Sequence, residues 1–356
     1  KDKQIVFAAV KNDGSALQYS DKTLKKDKKI VLQAVSIYGL ALDFADKSLK
    51  KNKEVSVFSD LESLLRSETP DLLIIATPSG IHYKNAKLAL NRGCNVLIEK
   101  PITLKVNEAN ELYNLAKKKK RKIFVAFQNR YNPSIKKTKE ILKKNKFGKI
   151  ITISARLRWC RYNDYYNDDW HGTWKLDGGV LANQSIHLLD ILLWYFGSVK
   201  RVFTISKTII NRLEAEDTII STIEFSNGII GTFEATTGCR PKDYEVSLSI
   251  IGEKGIVEID GLCLNSIRTW KFNNSLSTEK KIKKKYSENI KMAYGNGHIH
   301  LLKDIFYHLN KKNIISLHSK AEMLMPIKVM HAFYKSALTT KPIDLKTNPK
   351  FNKLGN

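Results

Sequence analysis

Short unbroken apolar runs alternate with amphipathic stretches over the first third of the chain. Residues 5–10, 72–76, 96–98 and 123–127 are continuously apolar and 30–35 is broken only by Gln33, the character of strands covered on both faces. Between them, residues 60–66, 82–90 and 107–118 space their apolar positions as helices do. Asp60 stands where a helix N-cap is wanted and Gly93 where a helix would stop. This order predicts an α/β domain over residues 1–130, built as a Rossmann-type doubly wound parallel sheet.

Past Pro133 the pattern changes. One more helix, 134–144, leads to an alternating strand at 151–159. Hairpin signals follow: Ser226-Asn227-Gly228 separates strands at 218–225 and 229–235, and Glu253-Lys254-Gly255 separates strands at 246–251 and 256–259. Residues 131–356 are therefore expected to form an α+β domain on an open antiparallel sheet, for substrate binding and oligomerisation. Helical spacing at 321–338 suggests a segment that packs back on the first domain. No internal repeat is read along the chain.

With 356 residues, 42% of them hydrophobic, the chain has material for two cores rather than one. It holds no apolar run of about 18 residues, so neither membrane insertion nor a signal segment is expected, and a cytoplasmic protein is. Cys94, Cys160, Cys239 and Cys263 are scattered, which fits reduced thiols better than a zinc site or disulfide frame. The net charge of +26 invites a nucleic-acid reading. Its lysines are spread along the chain, however, and the expectation is a solvated basic surface that attracts anionic small molecules.

Two segments carry candidate chemistry. Glu99-Lys100-Pro101 closes the strand at 96–98, and strands of such sheets deliver their last side chains to the ligand-binding edge. Far downstream, Gly178-Gly179 leads into Asn183, Gln184, His187 and Asp190. A helix spanning this segment would put Asn183, His187 and Asp190 on one outward face, with Asp190 near enough to orient the imidazole. Taken singly, Lys100 has the solvated strand-end lysine as its alternative, against which Pro101 fixes the turn, and His187 reads better as a hydrogen-bonded core histidine.

These segments, with Thr77-Pro78-Ser79-Gly80-Ile81-His82, Gln128-Asn129-Arg130-Tyr131-Asn132-Pro133, Arg158-Trp159-Cys160-Arg161, Trp170-His171-Gly172-Thr173-Trp174 and Tyr294-Gly295-Asn296-Gly297-His298, make the chain resemble the Gfo/Idh/MocA oxidoreductases. Within them it looks like the branch that oxidises UDP-N-acetylglucosaminuronic acid at C3 for surface polysaccharides. The resemblance implies NAD, or alternatively NADP, as cofactor, and Lys100 and His187 as catalytic residues. It implies cofactor contacts at Gly14, Ser36, Thr77, Pro78, His82, Glu99, Lys100, Gln128 and Trp170. Substrate contacts follow at Lys100, Arg130, Arg161, Tyr165, Tyr166, Asn183, Gln184, His187 and Arg240. Each arginine could instead sit in an ion pair, and each aromatic in a core cluster. A homodimer or homotetramer and a functionally linked aminotransferase are also implied. Asn183 stands where many relatives would carry aspartate.

One stretch departs from the family. In place of a Gly-x-Gly-x-x-Gly turn after the first strand comes Lys11-Asn12-Asp13-Gly14-Ser15, where Asp13 brings negative charge toward a pyrophosphate site. Ser36-Ile37-Tyr38 follows the second expected strand without the acidic residue that binds a ribose. The alternatives to a UDP-uronate dehydrogenase are a dehydrogenase of another pyranose or cyclitol, and a non-catalytic sugar-nucleotide-binding relative.

Overall fold

A computed structural model describes residues 2–12, 14–27, 29–31, 56–273, 276–290, 295–310 and 317–356. Its contacts divide the chain into two compact units, Lys1–Thr69 and Pro70–Asn356.

The first unit differs from the strand-rich expectation. Residues 5–10 lie inside a helix, α1 (Lys3–Asn12), and Gly14 opens a 3₁₀ stretch, Gly14–Tyr19. Residues 29–31, read as the start of a strand, are helical as well; the rest of that expected strand, with Ser36, lies outside the described residues. The physical reason is in the core: Val10, Leu17, Leu24, Ile30 and Val31 are buried together, with Val6, Phe7 and Ala16 against them. Val6, Phe7 and Val10 are spaced three and four apart on one helical face, while Ile5 is exposed. A run of six apolar residues satisfies a strand and a helix equally, and here the helix wins. A later helix of the unit, α2 (Leu61–Ser67), starts as expected at Asp60, whose side chain accepts from the Ser63 N–H at 2.7 Å.

The second unit opens with a parallel sheet of β1 (Leu72–Ile75), β2 (Asn95–Ile98) and β3 (Ile123–Val125), in that order, with β2 between its two neighbours. Helices α3 (His82–Asn91) and α4 (Val106–Lys119) make the crossovers. Gly93, at φ +86°, ends the first crossover, a left-handed conformation that suits glycine best. After α5 (Pro133–Lys143) comes β4 (Ile150–Arg158), near the middle of an eight-stranded sheet. The other strands are β5 (Val199–Lys207), β6 (Thr218–Phe225), β7 (Ile230–Thr236), β8 (Glu245–Gly252), β9 (Gly255–Asp260), β10 (Ser266–Phe272) and β11 (Ile343–Asp344). All pairings are antiparallel except β4 with β7. Inward Ile153, Ala155 and Leu157 of β4 are buried, while Ile151 is exposed, so the sheet keeps one face open.

Two helices cover the other face. In α6 (Ile186–Phe196) nearly every residue is buried, which explains its apolar sequence. The long α7 (Lys320–Thr339) begins with a capping box between Ser319 and Glu322 and packs on β5, α6 and α4. It thereby ties the parallel half of this unit to the antiparallel half. Asn183 precedes α6 in a turn rather than riding on it, and Asp190 is buried rather than outward; the single outward polar stripe expected there does not form.

Candidate functional site

Lys100 follows β2 directly, so the sheet fixes its backbone. Its Nζ donates to the Asn183 carbonyl oxygen at 2.7 Å, bringing together two segments more than eighty positions apart. Burial pulls the ammonium below its ordinary value, against the opposing pull of Glu99 and Asp177. Two close approaches hold the loop after β1 nearby. The Gly80 N–H donates to the Leu176 carbonyl at 2.8 Å, and a Cβ on Gly80 would lie 2.3 Å from the Lys175 oxygen. His82 is buried, with Nδ1 2.8 Å from the Pro101 oxygen and Nε2 2.8 Å from the Thr77 oxygen. It straps the loop carrying Thr77 and Pro78 to the turn after Lys100.

His187 sits in the first turn of α6, edge-on to Phe127 at 6.2 Å between ring centroids. Burial depresses its basicity well below the ordinary histidine value, and the charge of Lys100 and then of His298 adds to this. The imidazole is therefore neutral at pH 7, and its buried Nδ1 has no hydrogen-bond partner among the described residues. Asp190 does not orient it: the carboxylate takes Arg130 bidentately, Nε to Oδ2 at 2.7 Å and the second guanidinium nitrogen to Oδ1 at 2.6 Å. Both partners are buried, so Arg130 is engaged within the protein.

Asp177, not singled out from the sequence, lies at the centre of the cluster. Oδ2 accepts from the Gly172 N–H at 2.8 Å and from Asn183 Nδ2 at 3.0 Å. Burial pushes the carboxyl up to about 7. Its Oδ1, with Gln184 Oε1 and Gln128 Oε1, is buried without a partner among the described residues. A charged residue directly before Gly178-Gly179, inside an apolar stretch, was the available signal. The turn is braced from behind. A Cβ on Gly179 would lie 2.2 Å from the Glu216 carbonyl oxygen, and Glu216 Oε1 accepts from the Leu181 N–H at 2.9 Å and from the Tyr334 hydroxyl at 3.1 Å.

Aromatic residues adjoin this cluster. Gln184 Nε2 donates to the Tyr165 hydroxyl at 3.4 Å, and Tyr165 packs edge-on to Tyr166 and 4.2 Å from the His171 ring. Tyr166 bonds Thr237 Oγ1 at 2.8 Å, and burial pushes its phenol up to about 12. Trp170 stacks on His171 at 3.5 Å. His171, also unsingled from the sequence, pairs with Asp168 and feels the charge of Lys100. Arg161 lies 5.5 Å over Tyr165 while its NH1 bonds Asp243 at 3.0 Å. Arg240 lies over Tyr162 and bonds Asn211 Oδ1 at 2.8 Å. On the other flank Glu99 stands 3.9 Å from His298, and a Cβ on Gly297 would lie 2.2 Å from the Gln128 oxygen. Lys100, Asn183, Gln184, His187 and Tyr165 thus gather around Asp177, whereas Arg130 is taken up by Asp190 and Ser36 lies outside the described residues.

A nicotinamide cofactor fits this end of the molecule. Four buried polar atoms, His187 Nδ1, Asp177 Oδ1, Gln184 Oε1 and Gln128 Oε1, lack partners among the described residues, and buried polar groups are rarely left so without a ligand or water to satisfy them.

An NAD-binding Rossmann-fold model of an oxidoreductase family matches residues 20–127, and the GFO/IDH/MocA C-terminal domain matches residues 135–258. The chain belongs to the GFO/IDH/MocA oxidoreductase family. Among solved structures it is similar to the WlbA dehydrogenase of Bordetella pertussis, a complex with NADH and UDP-GlcNAcA, with a TM-score of 0.75 and 28% identity over 82% of this chain and 84% of that one. It is 33% identical over 141 residues to the uncharacterised oxidoreductase sll0816 of Synechocystis, 39% of this chain and 38% of that protein. It is 28% identical over 146 residues to the D-glucoside 3-dehydrogenase of Escherichia coli, 40% of each. The matched segment thus spans less than half the length of these curated relatives. No helix among the described residues is long and apolar enough to cross a membrane.

Proposed function

We propose that the chain is an NAD-dependent dehydrogenase that oxidises the C3 hydroxyl of a UDP-linked N-acetyl sugar uronate to the 3-keto sugar. The observation that carries this reading is the convergence of Lys100 and a neutral His187 in one buried polar cluster. The similarity to WlbA supports it across most of the chain.

Oxidising an alcohol removes a proton from oxygen and a hydride from carbon; nicotinamide, when bound, takes the hydride. The rest falls to the protein. Neutral His187 accepts the hydroxyl proton, which a histidinium could not do. The Lys100 ammonium, anchored on the Asn183 carbonyl, hydrogen-bonds the hydroxyl oxygen and stabilises the charge that grows there. Asp177 fixes the Asn183 side chain and, once ionised above its raised value of about 7, adds negative charge near Lys100. Asn183, Gln184 and Tyr165 serve the sugar hydroxyls. Arg161 and Arg240 serve the carboxylate or diphosphate with the donor capacity left beyond the bonds of Arg161 to Cys160 and Asp243 and of Arg240 to the Cys239 carbonyl and Asn211. Thr77, Pro78, His82, Glu99, Gln128 and Trp170 border the nicotinamide end. A 3-keto product is a substrate for transamination, so an aminotransferase would act next in making a diacetamido sugar for surface polysaccharide, and a homo-oligomer in the cytoplasm completes the reading.

Similarity to D-glucoside 3-dehydrogenase favours a second substrate class, simple glycosides oxidised at the same position. Concentrated protein mixed with NAD and UDP-N-acetylglucosaminuronic acid should give a burst of reduced-nicotinamide absorbance, and alkyl glucosides should not. The reverse pattern selects the second class. Silence with both, while the UDP-sugar binds, sinks the dehydrogenase reading.

A further inference from the structure

The first fifty residues are two copies of one unit. Lys1-Asp2-Lys3 recurs as Lys26-Asp27-Lys28, Ile5-Val6 as Ile30-Val31, Ala9-Val10 as Ala34-Val35, Ala16-Leu17 as Ala41-Leu42, and Leu24-Lys25 as Leu49-Lys50, all without a gap. The absence of an internal repeat, expected from the sequence, is thereby corrected. The structure carries the repetition into geometry. Asp2 Oδ1 accepts from the N–H groups of Gln4 at 2.8 Å and Ile5 at 3.2 Å, and the Val6 N–H donates to the Asp2 carbonyl at 3.0 Å. Twenty-five residues on, Asp27 Oδ1 accepts from Lys29 at 3.0 Å and Ile30 at 3.2 Å, and Val31 donates to the Asp27 carbonyl at 2.9 Å. The same cap starts the same helical turn, and the two copies share a core, Ile30 and Val31 of the second burying Val10, Leu17 and Leu24 of the first.

This changes the meaning of Gly14. It recurs as Gly39 at the same place in the second copy, and it follows a helix rather than a strand. It is a landmark of the repeat, not the remnant of a phosphate loop. Helix N-termini bind phosphate through free N–H groups and a positive dipole end. At both described helix starts of the repeat an aspartate carboxylate already takes those N–H groups and puts negative charge there.

Resting on the dehydrogenase reading above, we propose that this chain grips its nicotinamide cofactor by the nicotinamide mononucleotide half, through the residues around Lys100, and that neither described helix start of the tandem repeat serves as a pyrophosphate cradle. The ligand class is a reduced or oxidised nicotinamide mononucleotide moiety, with no grip on the adenosine phosphate half from the two capped helix starts.

The full chain is titrated with NADH and with reduced nicotinamide mononucleotide, following nicotinamide fluorescence at one salt concentration. The expected dissociation constants lie within about tenfold of each other, about 1.4 kcal/mol, and ADP fails to displace NADH. A preference for NADH of about a hundredfold or more, or displacement by ADP, overturns the proposal while leaving the dehydrogenase reading in place. Binding of the UDP-sugar with no binding of either nicotinamide overturns both.

Discussion

Residues 5–10 and Asn95–Ile98 are both short apolar runs near the start of a parallel-sheet pattern, yet one is a helix and the other the central strand of the described sheet. What separates them is their surroundings. Asn95–Ile98 has a parallel partner on each side and ends at a lysine that a distant turn captures. Residues 5–10 have an aspartate cap before them and helical-spaced partners in the next repeat copy. A run of this length does not choose its own structure; cap and period choose for it.

The largest contrast between the two regions should appear in catalysis. Lys100→Ala is expected to lower kcat by about 10²- to 10⁴-fold, the range for a lost proton-transfer or hydrogen-bonding group, with UDP-sugar affinity nearly kept. His187→Ala should cost about 10²-fold or more. Val10→Ala in the repeat should leave kcat unchanged. Steady-state rates on the three variants check this, and near wild-type turnover in Lys100→Ala would end the proposed mechanism.

Next in size is a stability effect that separates Asp190 from the site it adjoins in sequence. Removing one member of a buried, hydrogen-bonded ion pair costs about 3–5 kcal/mol, so Asp190→Ala should lower the urea midpoint of the second unit sharply by leaving Arg130 only the more distant Glu322 carboxylate, 3.6 Å away. A midpoint shift under about 1 kcal/mol would mean that Arg130 is free to serve a ligand after all.

The site was only partly legible beforehand, for reasons these residues show. Lys100 and His187 stand out because a strand end and an apolar helix advertise their few polar residues. Asp190 and Arg130 carry the same signal but face each other, and nothing in sequence spacing pairs positions sixty residues apart. Asp177 was hidden because a carboxylate before a glycine pair reads as a turn residue. Most of the fold from Pro70 onward was legible because helix caps and hairpin turns punctuate it, as at Gly93 and Ser226-Asn227-Gly228. The first unit was not legible from its apolar runs alone, because what sets their helical phase is the repeat, with an aspartate cap at the start of each copy.

A pH experiment sharpens the role of Asp177. Its carboxyl rises from an ordinary 3.8 to about 7 on folding, so between those values the folded protein holds a proton that the unfolded chain has lost. Stability should therefore fall as pH rises from about 4 to about 7 and level off above. Glu216, raised to about 8 by burial, acts in the same direction and extends the slope. Asp177→Asn should flatten the lower part of it. Urea midpoints measured across this range decide; an unchanged slope would place the ionisation elsewhere.

The smallest effect tests the repeat itself. Asp2→Ala and Asp27→Ala each remove a helix cap, worth about 0.5–2 kcal/mol. Asp27 also meets Lys3 at 2.6 Å, a surface pair adding about 0–1 kcal/mol, so its loss should be the greater. The Lys3 hydrogen bond holds the Asp27 carboxyl below its ordinary range. Its contribution is therefore present above about pH 4 and drains away as pH falls through the lowered value. Amide hydrogen exchange over Lys3–Asn12 reads both substitutions locally, and exchange there should quicken more in Asp27→Ala than in Asp2→Ala. Because Asp27 lies outside α1, such quickening means that the second copy supports the helix of the first, as a shared core requires. If Asp27→Ala left α1 undisturbed but weakened nicotinamide binding, the segment would belong to the cofactor site, and the contrast between the two regions would collapse.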